Sequence, residues 1–270
     1  MRDVIRGFRS LVLAGMLAGL PAFLCGISQV YAKDMSSGTV IELPDEDQTA
    51  LAVLGTGVVG KAVPAKSIVN GAEFMVLQPG KWTYRVVGGA PQDTQQVDVM
   101  ASPPRDKTGR LWHRIVGKRF IEYFRRKRNG DLQLASEVDL KEDVLTRYHP
   151  VFSVIYGGMR PGETRSVKTD IAVYDLDNPT DEKYKGRLRV DHTYVGAYEV
   201  TVPAGTYPAV LFKSFYTGKV GPASVNDVGY VFYTKGIGIV AEVERSHVSA
   251  FLFYDKRTRI AKVLLHREMP

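Results

Sequence analysis

The stretch from Arg187 to Val202 reads RLRVDHTYVGAYEVTV. Its even positions are Leu188, Val190, His192, Tyr194, Gly196, Tyr198, Val200 and Val202. Its odd positions are Arg187, Arg189, Asp191, Thr193, Val195, Ala197, Glu199 and Thr201. Successive side chains of a strand point to opposite faces, so this alternation predicts one long strand with a buried face and a mostly wet one. Gly196 marks a bulge or a sharp bend. Long, bent, one-faced strands belong to antiparallel sheets that curl around a core.

The same reading extends in both directions. Pro203 to Tyr207 is turn chemistry, and Val210 to Thr217 is the returning strand. Tyr230–Tyr233, Ile237–Glu244, His247–Tyr254 and Arg259–His266 read as further strands, with Lys256, Arg257 and Thr258 as a polar turn. Upstream, Ala72–Leu77, Trp82–Val87, Gln95–Met100, Arg110–Val116, Phe120–Arg126 and Asp131–Val138 are strand candidates. Asn129-Gly130 between the last two is a strong hairpin signal, read here as a two-residue turn whose tip projects beyond the core. Pro44 and the acids Asp45, Glu46 and Asp47 open a short helix, and Gly55 closes it. Leu77–Trp82 and Met159–Thr164 share a Pro-Gly turn ahead of a strand run. The expected fold is mainly β: a curved antiparallel sheet or half-open β-barrel with a short N-terminal helix. No Gly/Ser/Pro-rich linker divides residues 33–270, which read as one domain.

Residues 1–32 read separately. Arg2, Arg6 and Arg9 precede an apolar run, Leu11 to Ile27, and Val30-Tyr31-Ala32 presents small or aliphatic residues at the −3 and −1 positions. This is the layout of a secretory signal peptide cleaved after Ala32, which places the protein in the periplasm or outside the cell. Cys25, the one cysteine of the 270-residue chain, lies inside that segment. Leu24 before it does not suit lipidation. The remaining chain has no disulfide, and its core must stabilise it. Formal net charge falls from +7 to +5 on cleavage. That balance is compatible with anionic envelope surfaces and gives no footprint for nucleic acid. No transmembrane segment follows the signal.

Several motifs imitate chemistry. Gly55 to Ala62, GTGVVGKA, satisfies the dinucleotide glycine spacing and nearly the P-loop. However, a helix precedes it, Pro64 follows it, and Ala62 stands where Mg²⁺ would need a hydroxyl. It reads as a Gly-rich exit from the helix into the first strand, and no nucleotide is expected. Gly157 to Gly162 is a turn. His113, His149, His192, His247 and His266 show no metal-ligand spacing, so neither metal nor cofactor is expected. His192, on the apolar face, reads as a hydrogen-bonded core residue ahead of a catalyst. Asp175 to Glu182 is an acidic loop without EF-hand spacing. No G-x-S-x-G elbow is present, and Ser224 with Asp227 nearby is not a triad.

Tyr198 to Tyr207 (YEVTVPAGTY), Val228 to Tyr233 (VGYVFY) and Gly236 to Val240 (GIGIV), together with Leu77 to Arg85 (LQPGKWTYR), resemble a broad group of uncharacterised secreted bacterial β-proteins. In that group a VPAGT turn joins two strands and an aromatic strand leads into a GIGIV-like turn. Its members have a Trp where this chain has Phe232. The resemblance implies a β fold and carries over no activity.

These readings lead to an exported non-enzymatic envelope protein that holds a lipid or other amphiphile in a curved sheet, with Tyr194, Tyr198, Phe212 and Tyr230 as candidate lining. The same face filled by its own core is an equal reading. The alternative is a structural or assembly factor acting through a sheet edge or through a basic hairpin tip, Arg125, Arg126, Lys127 and Arg128, that docks on an anionic surface. A hydrolase ranks third, because no nucleophile–base–orienter set is visible.

Overall fold

The computed structural model describes residues 38–88, 93–100, 111–250 and 254–269. The signal segment and its cleavage site lie outside them. Helix α1 (Asp45–Leu51) runs into a 3-10 turn, Ala52–Leu54, that Gly55 ends. Thirteen strands follow: β1 (Val59–Val63), β2 (Gly80–Val86), β3 (Thr94–Met100), β4 (Leu111–Val116), β5 (Phe120–Arg126), β6 (Leu132–Asp139), β7 (Val144–Ile155), β8 (Thr164–Asp175), β9 (Glu182–Val202), β10 (Gly205–Val220), β11 (Ala223–Thr234), β12 (Gly238–Ala250) and β13 (Tyr254–Glu268).

Every strand from β2 to β13 pairs antiparallel with its neighbour in sequence, and β13 returns to β2 between Lys262↔Val86 and Glu268↔Lys81. Twelve strands thus close an up-and-down barrel, and β1 lies outside the ring. The expected mainly-β fold of a curved antiparallel sheet or half-open barrel with a short N-terminal helix is present, with the barrel closed between β13 and β2. The 21-residue β9 bears β10 along one edge. Its other edge is shared, β8 pairing up to Thr193 and β1 pairing at residues 197–200.

β9 also changes face. Leu211 pairs with Gly196 and Phe212 with Tyr194, so Val195 is an extra residue. Before it, Leu188, Val190, His192 and Tyr194 point into the barrel. After it, the even positions point outward. They are nevertheless buried, because the N-terminal segment covers them: a Cβ on Gly196 would lie 3.4 Å from Ile41 Cβ and 3.0 Å from the Tyr198 hydroxyl. The bend expected at Gly196 is therefore a bulge one residue earlier.

α1 seals the outer face of β10–β13. Ala50, Leu51 and Leu54 are buried against Ala241, Val243, Ala261 and Val263. A leucine buried this way contributes about 2 kcal/mol. Lys213 Nζ donates to Asp47 Oδ1 (2.7 Å) and Glu46 Oε1 (2.5 Å), the Tyr230 hydroxyl donates to Asp47 (2.9 Å), and Arg245 and Arg259 both reach the Ala50 carbonyl. Burial would depress Lys213; the hydrogen bonds to Asp47 and Glu46 outweigh it and hold the ammonium charged.

The segment after β1 crosses one end of the barrel as a cap. Ile68 N donates to Met159 O, Gly71 N to Gly130 O, Gly236 N to Glu73 O, and the Tyr194 hydroxyl to Lys66 O. This corrects the strand expected over Ala72–Leu77, where a 3-10 turn (Gly71–Glu73) folds inward to bury Met75 and Leu77.

Two further expectations fail for local reasons. Lys256, Arg257 and Thr258 lie inside β13, paired with Val248, His247 and Ser246, and β12 runs unbroken through Glu244–His247. The polar residues are cross-strand partners there: His247 Nε2 meets Asp255 Oδ2 at 3.0 Å. In the basic hairpin Arg126 pairs with Leu132 and Arg125 with Gln133, one residue out of the expected register. The turn spans Lys127 to Asp131, with Gly130 at φ +85° and the Asp131 amide bonded to Asn129 Oδ1. Its tip does not project. Asp131 is buried, accepting from Ser153 Oγ and Gly157 N, and Gly130 lies against Val69 and Gly157.

Asp47→Ala is expected to lower unfolding free energy by about 2 kcal/mol, because it strips two donors of a shared acceptor. Urea denaturation measures this. An unchanged midpoint would mean that the helix latch does not contribute.

Candidate functional site

Eight strands make a barrel just wide enough for its own side chains to fill, and diameter grows with strand number. Twelve strands enclose more, and this barrel fills the surplus with polar groups. On β4 and β5, Arg114 Nε donates to Glu122 Oε2 at 2.6 Å. Glu122 pairs with Glu137 on β6, and Glu137 with Thr146 on β7. Across the lumen, Lys262 on β13 meets Glu242 on β12 at 3.1 Å and Gln95 Oε1 at 2.9 Å. A belt of charge thus crosses the interior between two apolar layers. Phe124, Leu134, Phe152, Tyr194 and Phe212 pack towards the capped end, and Val116, Phe120, Val144, Ile171 and Leu188 towards the other.

One row of this belt has a gap. His192, Ser214, Gly229 and Glu244 are cross-strand neighbours on β9, β10, β11 and β12. His192 Nδ1 and Ser214 Oγ are 2.7 Å apart. A Cβ placed on Gly229 meets no atom within 4 Å, although the residue lies mid-strand. Among the described residues, the buried atoms without a hydrogen-bond partner in the protein include His192 Nε2, Glu244 Oε1 and Glu137 Oε1 on the lumen side. His192 and Glu244 lie about 14 Å apart along the wall, three strand spacings. Rings complete the chamber: His192 lies 6.0 Å from Tyr216 and 6.2 Å from Phe152, and Tyr148 packs edge-on to Phe152 at 5.1 Å.

The electrostatics follow from this enclosure. Burial, with the neighbouring carboxylates Glu122 and Asp139 adding to it, lifts Glu137 well above the ordinary carboxyl range. Burial, then Glu242, does the same to Glu244, which also feels Glu137 across the barrel. Burial thus favours the protonated form of both acids. Burial pushes His192 down to about 4, so its imidazole is neutral. Burial raises Asp227 to about 6 against hydrogen bonds from Ser246 and the His247 amide.

The four residues expected to share one lining do not share it. Tyr194 and Phe212 point inward and stack, centroids 5.1 Å apart and 14° from parallel, as part of the filled apolar layer. Tyr198 and Tyr230 lie beyond the bulge or on the opposite face, under the N-terminal segment. Tyr198 packs on Phe232 at 6.4 Å, and Tyr230 holds Asp47. Arg125, Arg126, Lys127 and Arg128 are all exposed, with Arg126 over the Trp112 ring at 5.3 Å. Sequence reading missed Glu137, Glu244 and Gly229. The alternation of β12 contained the signal, since Ala241 and Val243 are the apolar face, but their partner is α1 and the acids face in.

No protein-family model matches the chain, and no curated protein matches it. Three solved structures are similar in outline. One is a protein from Bacteroides fragilis named as exported and as having a YmcC-like fold (14% identity, 76% of this chain, 100% of that one, TM-score 0.37). Another is a protein from Parabacteroides distasonis named as a lipoprotein (11%, 73% and 98%, 0.33). The third is the hypothetical lipoprotein YmcC from Escherichia coli (11%, 71% and 89%, 0.34). Likeness at these scores carries no inference about the chamber.

The Asp227 carboxyl gives a pH test. Between about pH 4 and 6 the folded protein keeps a proton that the unfolded chain has released, so stability falls as pH rises through that window. Asp227→Asn cannot ionise, and its stability relative to wild type should improve by on the order of 2 kcal/mol between pH 4 and 7. Urea denaturation at stepped pH reads the difference. A pH-independent gap would contradict it.

Proposed function

We propose that the protein is an exported, non-enzymatic binding protein of the cell envelope that holds a small molecule with a hydrogen-bonding head in the barrel chamber. One observation carries the reading: the open space over Gly229 is bordered by polar atoms without protein partners. Such atoms cost free energy unless something satisfies them. Export rests on the layout of residues 1–32. The Ser214–His192 pair is not a hydrolytic dyad, because a neutral imidazole held at about pKa 4 is a weak base near pH 7 and no carboxylate hydrogen-bonds its second ring nitrogen. Among amphiphiles, a compact polar molecule suits the chamber better than a long acyl chain, since Tyr194 and Phe212 occupy the adjoining apolar layer.

Native mass spectrometry on residues 33–270, exported in a bacterial host and purified without detergent, tests this reading. A reproducible adduct lighter than a phospholipid, lost on denaturation and absent from Gly229→Leu, is expected. A clean mass together with no thermal shift by any compound of a small-metabolite library would overturn it.

A second reading rests on a different surface. At the capped end Val69 is 81% exposed, beside the turn that carries Arg125 to Arg128, and Arg160 is exposed on the β7–β8 loop. An apolar side chain ringed by cations suits docking on an anionic lipid surface. Arg125, Arg126 and Arg128 changed together to Glu should weaken co-sedimentation with phosphatidylglycerol vesicles by about a hundredfold or more, at roughly 1 kcal/mol per charge. Unchanged binding would overturn it.

A further inference from the structure

The lumen contains more acid than base. Among the described residues its cations are engaged, Arg114 by Glu122 at 2.6 Å, Lys262 by Glu242 at 3.1 Å and Arg119 by Asp139 at 2.8 Å. Asp227 is held by the His247 amide at 3.0 Å. Glu137 and Glu244 are left over, 4% and 6% exposed, each with one carboxyl oxygen unpartnered. They stand on opposite walls, β6 and β12, with the open space over Gly229 beside Glu244. Tyr148, Phe152 and Tyr216 present ring surface to the same interior. Buried carboxyls that lack a counter-charge, with aromatic faces around them, form the environment that recognises an organic cation.

We infer that the chamber's ligand is a protonated amine, its ammonium held by Glu137 or Glu244 and its carbon skeleton lying over Gly229 against Tyr148 and Tyr216. This inference rests on the lumen-binding reading above and specifies its chemistry. A neutral polyol would satisfy the orphaned atoms and leave the acid excess uncompensated. An anion would add to the excess. Burial favours the protonated form of Glu137 and Glu244, and an ammonium pairs with the carboxylate form, so its entry favours loss of that proton. Binding is therefore coupled to proton release. Glu137 is faced by Glu122, Asp139, Arg114 and Arg119, and Glu244 by Glu242, Lys262, Asp227 and Glu137. Neither set offers a further cation to do the same work.

Isothermal titration calorimetry at pH 7.5 with benzylammonium and 1,5-diaminopentane tests the inference, with glucose and octanoate as neutral and anionic comparators. In buffers of different ionisation heat the amines should bind with about one proton released per ammonium seated. Their affinity should fall by up to about tenfold per pH unit on acidification. Glu137→Gln and Glu244→Gln keep the side-chain shape, and at least one should weaken amine binding by about tenfold or more. Gly229→Leu should abolish binding with far-UV circular dichroism unchanged, since its side chain enters open space. Glucose or octanoate binding that Gly229→Leu removes, with no amine binding, would overturn the amine assignment and leave the lumen reading standing. Amine binding that survives both glutamine variants and Gly229→Leu would overturn the site. No binding by any of the four compounds would overturn the amine assignment, and the mass of the exported protein would then decide the lumen reading on its own.

Discussion

Everything in this molecule depends on the ladder between β13 and β2. Those residues are about 180 positions apart in the chain, and their pairing turns a meander into a ring. Closure removes the free edges of β2 and β13 and fixes the strand number at twelve. It also sets a volume. A ring of twelve cannot be packed solid by aliphatic side chains alone, and the interior accepts a belt of ion pairs and acids between two apolar layers. Buried ion pairs stabilise little by themselves, because desolvation offsets their attraction. Arg114–Glu122 and Lys262–Glu242 are better understood as what keeps the belt open and polar. A hydrophobic filling would have made a tighter barrel without polar groups in its interior.

The architecture was legible where one face met water. Arg187 to Thr193 alternates cleanly because its odd residues are solvated and pair with β8 through Asp170 and Ser166. Phe120–Arg126, the VPAG turn and the helix around Asp45 were equally clear. The reading failed where both faces are covered. In β12 the apolar residues Ala241 and Val243 face α1, so the alternation is real and its sense is inverted: Glu242 and Glu244, which look like a wet face, line the lumen. β7 was hidden for another reason. Pro150 interrupts its pattern at the place where the β6–β7 register shifts, and a strand containing proline reads as a loop. Gly229 gave no signal at all, because a glycine in a strand looks alike whether it faces solvent, a neighbour or a void.

The chamber could not have been foreseen from motifs, since its unpartnered polar groups lie far apart in the chain. Glu137, His192 and Glu244 come from β6, β9 and β12, and only the closed ring brings them to one interior. The expected aromatic lining failed for the opposite reason. Tyr194 and Tyr198 are four residues apart on one apparent face, and the single extra residue at Val195 sends them to opposite sides of the wall.

That extra residue has a consequence for how the sequence can vary. Upstream of Val195 β9 belongs to the lumen; downstream it belongs to the layer beneath the N-terminal segment. The two layers share one strand and one register. Losing or gaining a residue here would turn Tyr198, Val200 and Val202 into the barrel and expose Ala197, Glu199 and Thr201 to the helix side, disturbing both layers at once. Point changes can tune either layer separately. Changes of length near position 195 cannot, so the inside and outside of this wall are locked to a common reading frame.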